Sequence, residues 1–177
     1  MATDDNNEEE LTPKEVVSFL NDYYAIMTDI VKQHNGSVNQ FVGDEIFASF
    51  GALESYPDIE INAVFCGMKM MENLPILNEK YKRRLNREIT MGIGLNFGEV
   101  VAGNIGSEDR IRYSLTGDTV NTGKRIESIT KDHPNSILIS DSIYQRTKDV
   151  IEVKAWEPLY VRGKKEKILV YEVLGRK

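Results

Sequence analysis

Asn121 and Arg125 stand four residues apart in YSLTGDTVNTGKRIES, Tyr113–Ser128, where a strand-like run gives way to a helical pattern. On a helix that spacing is one turn, so both side chains share a face. The free N–H groups and positive dipole end of a helix start lie nearby, and they suit an anion. Arginine adds a permanent charge on a planar fork that matches phosphate, and asparagine can orient a hydroxyl or a sugar oxygen. Asp44, in QFVGDEIF, sits between two apolar runs. As Gly-Asp it reads as turn chemistry. As a carboxylate it is also the hard oxygen ligand that a divalent cation shares with phosphate and water. Glu45 follows directly and alternates to the opposite side of the strand. Lys164, in VRGKKEK, is either part of a solvated hairpin tip or a cation for a polyphosphate tail.

Other chemistries find no support. The Gly-rich stretch GEVVAGNIGS lacks the Gly-Lys-Ser/Thr ending of a P-loop, and its glycines read as strand-packing and turn residues. His34 and His133 have no partner at metal-ligand spacing and are assigned to the surface. Met68, Met70 and Met71 read as core and its edge. No Ser–His–Asp or Cys–His constellation can be assembled.

These groups need a scaffold, and 177 residues is about one domain. Net charge is −6, but residues 1–10, MATDDNNEEE, hold five acids and no base, which leaves −1 for the rest. That head is expected to be an acidic, disordered tail, with the folded domain over 11–177. The acidic balance argues against non-specific binding to nucleic acid or an anionic membrane. A lone cysteine, Cys66, allows no intrachain disulfide; it reads as a reduced core thiol in a cytoplasmic protein. No window approaches the roughly 18 uninterrupted apolar residues of a membrane span, and no signal peptide is visible.

Thr12, Pro13 and Glu15 form a capping box that opens a helix over 12–35, ended by Asn35-Gly36. Residues 38–42 and 45–50 flank Gly43-Asp44 as a β-hairpin. A second helix runs from 56–58 to about Asn73, where Pro75 predicts a kink or a fresh start. Strands are expected over 89–96 and 99–104, joined by a turn at Gly98, and over 110–116. A helix over 119–130 follows, capped by Asp118 or Thr119. A strand at 136–140, a helix at 141–147 and strands at 151–156 and 168–174 complete the chain. The order implies an α+β, ferredoxin-like antiparallel sheet with helices packed on one face.

QFVGDEIFASFG, GIGLNFGEVVAGNIGS, YSLTGDTVNTGKRIES, ILISDSIY and LYVRGKKEKILVYEV together resemble the class III nucleotidyl cyclase catalytic domain, in register from about residue 11 to the end. That family forms 3′,5′-cyclic monophosphates and pyrophosphate, with Mg²⁺ or Mn²⁺. The resemblance implies metal binding at Asp44, ribose positioning at Asn121, transition-state stabilisation at Arg125 and terminal-phosphate binding at Lys164. It places base recognition at Gln40 and Ser114; the hydroxyl of Ser114 leans toward ATP, with GTP open. It implies a homodimer, or a pseudo-heterodimer with another cyclase domain, in which Asp44 faces the partner's Arg125. The family's opening strand, with its first metal aspartate, has no match in MATDDNNEEE. The chain is therefore expected to be N-terminally incomplete and to hold one metal aspartate. A catalytically incomplete regulatory or dimerising module is the alternative. A diguanylate cyclase fits less well, because Val42 stands where that family has glycine. Gly123 replaces a usual alanine.

Overall fold

A computed structural model describes residues 12–52, 54–82, 88–107, 110–160 and 167–177. Helix α1, Pro13–Gln33, opens with the expected capping box: the Thr12 N–H donates to Glu15 Oε2 at 3.1 Å, and the Glu15 N–H donates back to Thr12 Oγ1 at 3.4 Å. Asn35, at φ +59°, ends it. The hairpin β1, Gly36–Val42, and β2, Glu45–Phe50, closes through Gly43-Asp44 as its composition predicts.

Helix α2, Ile59–Tyr81, runs through Pro75, against the expectation of a break near Asn73. Pro75 lies on the exposed face, where water can take the carbonyl that proline leaves without a donor. Leu74 and Leu77 beside it are buried and hold the turn in register.

The expected pairing around Gly98 is also corrected. Strand β3 is only Ile93–Leu95, and it runs parallel to β6, Ile137–Ser140. Strand β4, Val101–Ser107, pairs instead with β5, Arg110–Thr116. Asn135 sets the β3 register, because its Oδ1 accepts from the Met91 N–H at 3.1 Å and its own N–H donates to Met91 O at 2.9 Å. A central sheet then forms in the order β3-β6-β8-β7, where β7 is Ile151–Ala155 and β8 is Val170–Arg176.

Helices α1, α2 and α4, Asp141–Thr147, form the main helical layer of this α+β, ferredoxin-like fold. Val64 of α2 and Ile143 of α4 pack on Ile137 and Ile139 of β6. Helix α3, Asp118–Ile129, takes the other face, where Ile126 meets Leu138 and Val170. Strand alternation explains the division: Leu138 points away from its two neighbours. Between α1, α2 and the hairpin, a second core gathers Met27, Ile30, Val31, Leu77 and Cys66, whose thiol burial pushes up to about 12. Cys66 is therefore an uncharged core group, as expected.

Helix α3 sits unusually close to β3. A Cβ on Gly94 would come within 2.2 Å of the Glu127 backbone nitrogen, so only glycine permits this seat. Gly123 has no such requirement, since its Cβ would meet Asn96 Cβ at 3.6 Å, an ordinary contact. Gly123→Ala is expected to stabilise the domain by about 1 kcal/mol and raise its melting temperature by about 2–4 °C. Thermal unfolding checks this; a lower melting temperature would show that the helix needs the glycine.

Candidate functional site

Strand β5 delivers the chain to α3 through Gly117, at φ +136°. Gly117 itself is the N-cap, in place of the expected Asp118 or Thr119. Thr119 is engaged elsewhere: its hydroxyl donates to Glu99 O at 2.7 Å, and Asn96 Nδ2 donates to Thr119 O at 2.9 Å. These bonds fasten the start of α3 to the segment between β3 and β4.

Asn121 follows on the exposed side, its own N–H donating to Gly117 O at 3.2 Å. Arg125 lies one turn later and is half-buried. Its Nη1 is buried and has no hydrogen-bond partner among the described residues. Leaving a buried donor unmet costs about 1–3 kcal/mol, and more for a charged group. A guanidinium cannot relieve that cost by losing its proton. The position is thus suited to an anionic group from outside the chain. Ser114, half-buried on β5, stands opposite Gly103 of β4, which presents no side chain to it.

Asp44 is exposed at the hairpin tip, and Gln40 is exposed on β1. A register shift between Val38 and Gln40 makes β1 irregular at Asn39. It puts Phe41 opposite Ile46 and Val38 opposite Ala48, so both face α1, while Gln40 pairs with Phe47 on the other face.

The hairpin also touches α3. Lys124 Nζ lies 3.4 Å from Glu45 Oε2 in an exposed pair. Burial raises the Glu127 carboxyl above its ordinary value, with Glu45 and Asp44 charge adding to the shift. Lys124 thus marks the side of α3 that meets the hairpin. At about 100° per residue, Arg125 points about 100° round the helix from Lys124, and Asn121 about 60°. Among the described residues no hydrogen bond or ion pair joins Asp44 to Arg125 of the same chain. Asp44 at a hairpin tip and Asn121 and Arg125 on one helix stand as the sequence predicts, but nothing in it signals the Lys124–Glu45 contact or the irregularity at Asn39. Lys164 and the acidic head lie outside the described residues.

A cleft of about 310 Å³ opens beside the start of α3, lined by Asn96, Asp118, Thr122, Asp141 and Ser142 among others. Its two carboxylates make it a poor seat for phosphate. No described group of three or more His, Cys, Asp or Glu side chains could enclose a metal ion. Asp44 nevertheless fits a cation held by one or two carboxylates and completed by substrate phosphates and water. No described helix is long and apolar enough to cross a membrane.

The family described as the adenylate and guanylate cyclase catalytic domain matches residues 4–175. The chain belongs to this class III cyclase family. Adenylate cyclase 1 of Rhizobium meliloti is 29% identical over 164 residues, covering 93% of this chain but 25% of the relative, so the chain spans about a quarter of that protein. The crystal structure of the guanylyl cyclase Cya2 superposes with a TM-score of 0.88 at 37% identity, covering 96% of this chain and 85% of that one. The adenylyl cyclase CyaB from P. aeruginosa gives a TM-score of 0.89 at 27% identity, covering 96% and 87%. A cyclase domain is thus shown, while its nucleotide base is open between the two named kinds.

The raised carboxyl of Glu127 allows a pH test of its burial on α3. A carboxyl raised in the folded state favours folding below its unfolded value and loses that contribution as pH rises through its folded value. Glu127→Gln is therefore expected to raise the melting temperature at neutral pH, with the gain vanishing in acid below the carboxylate range. A gain independent of pH would contradict the assignment.

Proposed function

We propose that this domain is an adenylate cyclase, a phosphorus–oxygen lyase that converts ATP to 3′,5′-cyclic AMP and pyrophosphate for signalling in the cytoplasm. Its site is formed between two chains, and the partner is a second copy or another cyclase domain. The observation that carries this reading is the buried, unmatched Nη1 of Arg125, one turn from Asn121, with no hydrogen bond or ion pair to the chain's own Asp44 among the described residues.

In the reaction the ribose 3′-oxygen bonds to the α-phosphorus, the bond to pyrophosphate breaks, and the 3′-hydroxyl gives up its proton. No covalent enzyme intermediate is needed, so positioning and charge dominate. Asn121 orients the ribose. Arg125 meets the negative charge that grows on the phosphoryl oxygens. Lys164 holds the terminal phosphates, and Gln40 with Ser114 faces the base. Asp44 of the partner would hold Mg²⁺ or Mn²⁺, which when bound supplies Lewis-acid stabilisation of the phosphoryl oxygens.

GTP is the second substrate to be tested, because the exposed amide of Gln40 can donate or accept. Turnover of Mn²⁺–ATP and Mn²⁺–GTP, by the domain alone and mixed with an intact cyclase domain whose own arginine is replaced, separates the readings. Cyclic AMP as main product supports the proposal; cyclic GMP reassigns the base; no product in either arm favours a regulatory module. In an active preparation Arg125→Ala should lower kcat on the order of 10³-fold. Nucleotide affinity should fall far less, because the interaction is made chiefly in the transition state. An equal loss in affinity would make Arg125 a binding group only.

A further inference from the structure

The tip that presents Asp44 has little packing of its own. Residues 40–44 are all exposed, and a Cβ on Gly43 would meet nothing within 4 Å. Gly43 adopts φ +62° while Asp44 does not have positive φ, a two-residue turn with its left-handed residue first. In such a turn the peptide between the two central residues is the soft element. Rotating its plane changes ψ of Gly43 and φ of Asp44 together, and so swings the Asp44 carboxylate. With glycine on one side and open space around it, nothing in the turn resists that rotation.

One side chain reaches that peptide. The Tyr24 hydroxyl, from α1, donates to the carbonyl of Gly43, which belongs to the Gly43–Asp44 peptide. The Tyr24 ring is itself fixed. It lies 4.3 Å from the Phe41 ring and 5.6 Å from that of Tyr23, centroid to centroid. The irregularity at Asn39 is what turns Phe41 toward α1 to make that contact. Burial, with the Asp44 charge second, pushes the Tyr23 hydroxyl up to about 12, so Tyr23 stays neutral beside the carboxylate.

We propose that Tyr24 is a positioning residue for the cation site: its bond to the Gly43 carbonyl locks the Gly43–Asp44 peptide and so aims the Asp44 carboxylate. The proposal rests on the reading of Asp44 as the cation-holding group. Tyr24 touches neither cation nor nucleotide, so its effect is expected on metal affinity and on local order rather than on the fold.

The test uses Tyr24→Phe, which keeps the ring against Phe41 and removes only the donor. Two measurements need no turnover: Mn²⁺ binding in the presence of a non-cyclisable ATP analogue, followed by the electron paramagnetic resonance of free Mn²⁺, and amide hydrogen exchange at the hairpin tip. Tyr24→Phe is expected to weaken Mn²⁺ binding by about three- to tenfold, the worth of one hydrogen bond, and to speed exchange at Asp44 and Glu45. The melting temperature should barely move. Asp44→Asn, measured alongside, should remove most Mn²⁺ binding. If Asp44→Asn removes it while Tyr24→Phe changes neither affinity nor exchange, Tyr24 has no positioning role and Asp44 keeps its own. If Asp44→Asn leaves Mn²⁺ binding intact, the assignment of Asp44 and the proposal built on it both fall.

Discussion

A guanidinium carries its charge at every pH a protein meets, and Arg125 holds part of that charge inside the domain without a matching group among the described residues. Much of the fold contributes to keeping it there. Gly94 lets α3 lie against β3, Ile126 anchors the helix on Leu138 and Val170, and Thr119 with Asn96 fastens its first turn. The direction of the side chain is then set by helix geometry. The hairpin meets α3 through the Lys124–Glu45 pair, and no hydrogen bond or ion pair among the described residues joins Asp44 to Arg125. A buried, unmatched guanidinium nitrogen and an exposed carboxylate on another part of the chain are the two groups that the proposed two-chain site would bring together.

What could be read from the sequence was what depends on neighbours in the chain. The capping box at Thr12, the Gly-Asp hairpin, strand β5 and helix α4 all rest on contacts a few residues long, and all stand close to where their patterns put them. What could not be read depends on partners far along the chain. Pro75 signals a break locally, but buried Leu74 and Leu77 carry the helix past it. The stretch after Glu88 has strand composition, yet its pairing with β6 is decided by Asn135, some forty residues on. Nothing in TGDT says that Gly117 caps the helix while Thr119 bonds to Glu99.

The site follows the same division. Asn121 and Arg125 were legible as a pair because helical spacing alone brings them together. Asp44 read either as turn chemistry or as a cation ligand until the family resemblance favoured the second, and Gln40 entered through that resemblance alone. Tyr24 left no trace at all: it is one tyrosine in a helix until the turn at Asn39 brings Phe41 and the Gly43 carbonyl to it. Family membership shows the fold and a cyclase catalytic domain. In the proposed reading the choice of base falls to Gln40 and Ser114, two side chains whose groups can each donate or accept.

The central claim is that Asp44 of one chain works with Arg125 of another. Complementation tests it most directly. Arg125→Ala and Asp44→Asn, each inactive alone, are mixed under conditions where the wild-type domain turns over. The account predicts that activity returns, because a mixed pair of chains rebuilds one site with both groups intact. A mixture as inactive as its components would place the two groups in the same chain's site and contradict it.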